Sequence, residues 1–229
     1  MNKQEAARYF KMAADLGDAR AMFSYALMIS IGDGIAMNKH EAIKYYKMAI
    51  DKGEKKAMFN YGFILYNGEG CAVNRLEAAK YYKMAADRGH IGAMNSYALM
   101  LNDGDGIALN KQEAVRYFKM AADLGDTPAM NSYAIRLNKG DGVAMNKRDA
   151  VKYYKMAIDK GDENAMFNYA IMLCDGDGCA VNKSEAAKYY KMAADKGHSS
   201  SMNSYALMLD DGDGIAKNKK EASLYYKLA

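Results

Sequence analysis

The stretch Asn38–Gly53, NKHEAIKYYKMAIDKG, recurs in nearly the same words from Asn2, Asn74, Asn110, Asn146, Asn182 and Asn218, with a constant period of 36 residues. A fixed period of this size defines a stacked repeat array, because a unit this small cannot bury its apolar face alone and must lean on its neighbours. No other feature of the chain restricts the fold as strongly.

One period predicts two helices. Asn38 with Glu41 forms a capping box, in which the Asn side chain accepts from an early helical amide and the Glu reaches back. Glu recurs at that place in every copy but the fifth, which has Asp149. Ala42, Tyr45, Tyr46 and Ala49 then fall at i, i+3, i+4 and i+7, one face of a helix. Gly53 accepts the left-handed conformation past its last turn. This is helix B. Helix A follows at once, capped by Glu54 here and by Asp18, Asp126 or Asp162 elsewhere. Met58, Tyr61, Gly62 and Leu65 form its apolar face, small Gly62 permits close helix approach, and Gly68 and Gly70 stop it. Pro128 lies in the first turn of its helix A, where a missing donor costs little. Links this short force antiparallel neighbours, each helix ~20 Å long. The expectation is an all-α chain, one array over 1–229, with an orphan helix at 2–16 and six A–B pairs from 18 to 229.

A deeper repeat overlies this one. The first and fourth copies share NKQEA and RYFKMAADLGD, the second and fifth YYKMAIDKG, AMFNY and GCAV, and the third and sixth EAAKYYKMAAD, MNSYALML and DGDGIA. A three-repeat block has been duplicated. The chain opens on a lone helix B and closes inside another, without the polar capping repeats usual in arrays. That reads as part of a longer array, or as a chain that associates end to end.

Composition removes several classes. Hydrophobic residues are 51% and charged residues 26%, which favours folding over disorder. The net charge of +4 is spread evenly by the repeat, which argues against nucleic acid as the partner. No apolar run approaches membrane-spanning length and no apolar signal follows Met1, so no membrane insertion and an intracellular, cytoplasmic location are expected. The three cysteines form no CxxC pair, and Cys71 and Cys179 stand where other copies have Ile or Val, a small apolar role in a reduced setting.

The run from Ala57, AMFNYGFILYNGEGCAVNRLEAAKYYKMAADRG, resembles the Sel-one-like repeat (SLR) family, relatives of tetratricopeptide repeats. The matching features are small Gly62, the Gly68-x-Gly70 turn, Ala78, the pair Tyr81-Tyr82, Ala85-Ala86 and Gly89, and the resemblance covers essentially the whole chain. Tyr61 and its equivalents depart from the family's usual Leu. The resemblance implies a right-handed α/α superhelical solenoid and a scaffold or adaptor role, with helix A lining a concave side and helix B a convex one.

The residues that invite chemistry have plainer explanations. DGDG at Asp103, Asp175 and Asp211 resembles the start of a calcium loop, but the closing Glu at the twelfth place is missing. His90 and His198 replace a capping acid, and no repeating ligand spacing accompanies them. The GxG turns join helices and follow no strand, so they are not phosphate loops. No nucleophile–base set stands out. A non-catalytic protein without metal or cofactor is expected. The Tyr and Met content maps to core and inter-repeat places, twelve of the Met at the Met22 and Met48 positions, which argues against a ligand cage. A stripe formed by Lys44, Lys47 and equivalents such as Arg8, Lys11, Lys80, Lys83, Arg116, Lys119, Lys152, Lys155, Lys188 and Lys191 reads as a solvated face, with an acidic polymer as the weaker alternative.

By resemblance to tetratricopeptide grooves, the remaining helix A positions nominate Phe23, Phe59, Asn95, Asn131, Phe167 and Asn203, with Phe63, Tyr66, Asn102 and Asn138 beside them. Asn offers a donor and an acceptor to an extended backbone, and Phe offers apolar pockets. The alternative for Phe23, Phe59 and Phe167 is packing between repeats. The expected function is a protein–protein scaffold holding a peptide or partner helix in the groove. The competing expectation is a structural spacer that stacks end to end.

Overall fold

The computed structural model describes residues 2–229, and among them the elements are thirteen helices. The B helices are α1 (Lys3–Asp15), α3 (Lys39–Asp51), α5 (Arg75–Asp87), α7 (Lys111–Asp123), α9 (Lys147–Ile158), α11 (Lys183–Ala194) and α13 (Lys219–Leu228). The A helices alternate with them: α2 (Ala19–Ile31), α4 (Lys55–Asn67), α6 (Ile91–Asp103), α8 (Thr127–Lys139), α10 (Glu163–Asp175) and α12 (Ser199–Asp211). Packing divides the chain into two compact units, one ending at Tyr117 and one beginning at Phe118, within α7.

The caps form where the sequence places them, with one correction. Asn38 Oδ1 accepts from the Glu41 amide at 3.1 Å, but Glu41 Oε2 takes the Asn38 side-chain amide at 3.3 Å and not its backbone N–H. That N–H already donates to the Ile29 carbonyl at the end of α2, at 2.8 Å. The same pattern recurs at Asn74, whose backbone donates to Leu65. The box is therefore closed through side chains because the link from helix A has claimed the backbone donor. The A helices start on Asp18, Asp126 and Asp162 as expected, and on the ring nitrogens of His90 and His198.

The core is built from Ala and Tyr. Tyr25 of α2 meets Tyr45 of α3 edge to face, with ring centroids 4.7 Å apart at 82°. Tyr97–Tyr117 and Tyr133–Tyr153 repeat the arrangement. The Tyr that replaces the family's Leu therefore finds an aromatic partner, a geometry that adds about 0.5–1.5 kcal/mol beyond burial. The methionines divide. Met22, Met58, Met94, Met130 and Met166 are buried. Met12, Met84, Met120 and Met192, expected at core or inter-repeat places, are exposed, and Met48 and Met156 half-buried, because they sit one place outside the Ala–Tyr–Tyr–Ala face of helix B.

Two ladders of polar rungs join each repeat to the next. The first residue of a B helix pairs with the acid of the turn 30 residues on: Lys3–Asp33, Lys39–Glu69, Arg75–Asp105, Lys147–Asp177 and Lys183–Asp213. Along the B helices, Tyr45, Tyr117, Tyr153 and Tyr225 donate to Asp15, Asp87, Asp123 and Asp195 of the preceding B helix. The second acid of each DGDG turn, Asp105, Asp177 or Asp213, is thus spent on a rung, whereas the first, Asp103, Asp175 or Asp211, takes part in neither ladder.

Candidate functional site on the A-helix face

The nominated residues fall on two kinds of position. In the first unit, Phe23 is half-buried against Tyr46, and Phe59 stacks on His90 at 4.5 Å and 21°. In the second, Phe167 packs on His198 at 5.0 Å and on Tyr190. Each of the three rings packs on a Tyr of the B helix that follows its own A helix, and Phe59 and Phe167 also meet the His that caps the next A helix. The Asn set is mostly turned inward as well. Asn131 Oδ1 accepts from Asn168 at 3.0 Å, and Asn95 Oδ1 and Asn138 Oδ1 are buried without a partner. Asn203 is exposed, and Asn102 donates to Asp103 at 2.7 Å.

Phe63 and Tyr66 behave differently. Phe63 is 47% exposed on α4, and it forms a wall shared by two cavities of the first unit. One cavity, of about 240 Å³, lies between α4, α5 and α6 and is lined by Phe63, Tyr66, Tyr82, Leu99, Asp103 and Asp105 among others. The other, of about 180 Å³, lies between α2, α3 and α4, with Leu27, Ile31, Tyr46 and Ile64 as its apolar lining. The Tyr66 hydroxyl donates to Asp105 at 2.7 Å. That bond holds the hydroxyl above its ordinary value and the Asp105 carboxyl below its own. Burial pushes the Tyr82 hydroxyl well up.

Sequence reasoning missed the residues that stand in register with Phe63. Leu27 and Leu99 in the first unit, and Ile171 and Leu207 in the second, are large apolar A-helix side chains each more than a third exposed. Their shared register with Phe63 was the available signal. The duplicated block allows a second comparison. On the B helices Arg8–Asp18 recurs unchanged at Arg116–Asp126, and Lys44–Gly53 at Lys152–Gly161. On the A helices the copies part company: Leu27 against Ile135, Ser30 against Asn138, Phe63 against Ile171, Tyr66 against Cys174, Asn102 against Asp210. The A helices differ more between copies than the B helices do, but the differences include buried places, Ile29 against Leu137 and Ile64 against Met172, and Met94–Leu101 recurs unchanged at Met202–Leu209.

The opposite, basic face is partly neutralised. Lys11, Lys83, Lys119 and Lys191 each pair with an Asp four places on in the same helix. Arg8, Lys44, Lys80, Arg116, Lys152 and Lys188 remain exposed. Among the described residues no group of His, Cys, Asp or Glu is arranged to hold a metal ion, and no helix is long and apolar enough to cross a membrane.

An antiparallel α/α pair repeated at a fixed period, with polar rungs between neighbours, defines the class as an α/α repeat solenoid. The Sel1 repeat model matches residues 2–18, 19–54, 55–90, 91–126, 127–162, 164–198 and 199–229, so this chain belongs to the Sel1 repeat family. Proteins of this family are as a rule non-catalytic scaffolds for protein interaction. Among solved structures, a protective antigen of uropathogenic Escherichia coli strains with an SLR fold is similar at 24% identity and a TM-score of 0.92. The match covers 97% of this chain and 48% of that one, so this chain spans about half of that protein. A Sel1 repeat protein from Oxalobacter formigenes is 28% identical with a TM-score of 0.84, over 93% of this chain and 85% of that one. An immunity protein from Pseudomonas aeruginosa is 20% identical with a TM-score of 0.53, over 92% and 80%. No curated protein matches by sequence.

Proposed function

We propose that the chain is a scaffold that holds an extended segment of a partner protein against its A-helix face. The observation that carries this reading is the exposed stripe Leu27, Phe63 and Leu99, with a side-chain-sized cavity on either side of Phe63. Solvent-exposed apolar side chains in a continuous row are the usual mark of a contact surface. Cavities smaller than the ~300 Å³ of small-molecule sites suit single side chains better than a cofactor.

The test compares capture from native lysate by three chains. The wild type is set beside Leu27→Asn/Phe63→Asn/Leu99→Asn and a B-face control, Arg8→Gln/Lys44→Gln/Lys80→Gln, all with intact helical signal. A partner held by the wild type and the B-face control but released by the A-face variant supports the proposal. Release by the B-face control alone moves the site to the basic stripe.

A further inference from the structure

The two cavities beside Phe63 differ in charge, and the difference specifies what each accepts. The smaller is lined by Leu27, Ile31, Phe63 and Ile64 together with the neutral polar Ser30 and Asn60, and its charged residues, Lys39 and Glu69, pair with each other at 2.9 Å. The larger has aromatic walls and two carboxylates, Asp103 and Asp105. Arg75 pairs with Asp105, and its guanidinium lies over the Tyr66 ring at 5.3 Å, so one cation is present for two acids. Asp103 accepts from Asn102 and has no ion-pair partner among the described residues. It also occupies the last residue of α6, where the helix dipole disfavours an anion. The mouth of the larger cavity therefore carries one carboxylate more than it has cations, the exposed Asp103, beside Phe63 and Tyr82, while Arg75 already covers the Tyr66 ring.

Resting on the A-face reading above, we propose that this cavity receives a Lys or Arg side chain of the bound segment, while the smaller one receives an apolar side chain. The aliphatic stem of such a residue lies along Leu99 and Met100, and its cation faces the Phe63 and Tyr82 rings and Asp103. The fit follows from the mixed lining: a basic anchor adds a surface ion pair with the exposed Asp103 to its ring contacts, an uncharged one gains nothing from Asp103, and an acidic one would be repelled. Neighbouring helices lie ~8–10 Å apart, which corresponds to about three residues of extended chain at ~3.3 Å each. The preferred segment is thus an apolar residue and a basic residue three places apart. Elsewhere the array lacks this site. In the second unit the duplicate carries Ile171 and Cys174 in place of Phe63 and Tyr66, although Asp175, Tyr190, Leu207, Asp211 and Asp213 are present in the matching register.

The experiment uses bead-displayed heptapeptides with Leu fixed at one position and Arg, Lys, norleucine or Glu fixed three places on. Arg and Lys sets retained above norleucine and Glu, with binding about fivefold weaker for Asp103→Asn and for Phe63→Leu/Tyr66→Ser, are the expected result. These substitutions copy residues found at the same register elsewhere or are isosteric, so folding is preserved. I171F/C174Y is expected to create a second site and to raise the bound stoichiometry. Norleucine retained as well as Lys overturns the inference but leaves the A-face reading standing. Equal retention by Asp103→Asn and by Phe63→Leu/Tyr66→Ser also overturns it, since the cation is then held elsewhere. Retention of no set overturns it outright, and the capture comparison then decides the A-face reading independently.

Discussion

Two glycines, one in each of the last two repeats, allow the seam between repeats to be weighed directly. Gly197 ends α11 with φ +98°, and a Cβ added there meets nothing within 4 Å. Gly214, the second glycine of the turn after α12, has φ +74°, and its Cβ would lie 2.6 Å from both the carbonyl carbon and the Cβ of Lys183. Gly197→Ala therefore costs the left-handed conformation alone, about 1–2 kcal/mol. Gly214→Ala costs the same and in addition about 1–3 kcal/mol for pushing the turn off the start of α11. Separation of Asp213 from Lys183 adds little, since both are about half exposed. The two variants should differ by about 1–3 kcal/mol in urea unfolding followed by far-UV circular dichroism, with amide exchange in α13 as the local readout. Gly214→Asn sharpens the comparison, because Asn tolerates the left-handed region but still carries the Cβ. It should stay with the Ala variant. Equal losses at the two sites, or recovery by Gly214→Asn, would refute the close approach of turn and helix.

Other perturbations test the caps and the rungs. His90 caps α6 with its ring Nδ1 as acceptor, and burial, with the positive charges of Lys55 and Lys56, holds its pKa below 6.5. A lowered histidine pKa means that the folded state binds fewer protons, so stability is full above about pH 6.5 and is lost as pH falls below it. His90→Asp, the cap used at Asp18, should therefore lose less melting temperature between pH 7 and pH 5 than the wild type; an equal loss removes His90 from the explanation. Asn74→Ala should cost about 1 kcal/mol in urea unfolding through the lost cap of α5. For Asp87, burial works upward, but bonds from Lys83 and Tyr117 prevail and hold the carboxyl below its ordinary value. Its contribution is present above about pH 3.9 and disappears as pH falls through the depressed value, so Asp87→Asn should flatten the acid limb of the stability profile.

Much of the architecture was legible because the repeat states it many times over. The Asn and Gly punctuation, the i, i+3, i+4, i+7 faces and the placement of Pro128 are local patterns, and local patterns are what a sequence displays. The capping box failed in one detail for a non-local reason: the carbonyl of Ile29 had taken the Asn38 donor. The Met48 family was read as core or inter-repeat from its fixed place in the repeat, although that place lies beside, not on, the buried face. The site was half legible. Phe63 and Tyr66 drew attention as aromatics, whereas Leu27 and Leu99 look like any core leucine until exposure shows that nothing covers them. Asn95 and Asn138 looked like groove residues, but their inward oxygens depend on how neighbouring helices close, which no single repeat encodes.

The rungs that join repeats have a consequence for how such a chain changes over generations. Each rung spans 30 residues and reaches only the adjacent unit, and its two ends carry the same chemistry at nearly every seam. Any repeat thus presents the same fittings above and below. Unequal recombination between the near-identical B-helix segments would delete, add or reorder whole repeats and leave each new seam with matched partners. Only the order of the A-helix faces would change. The lineage can therefore exchange A-helix faces as interchangeable parts, without first passing through an unfolded intermediate sequence.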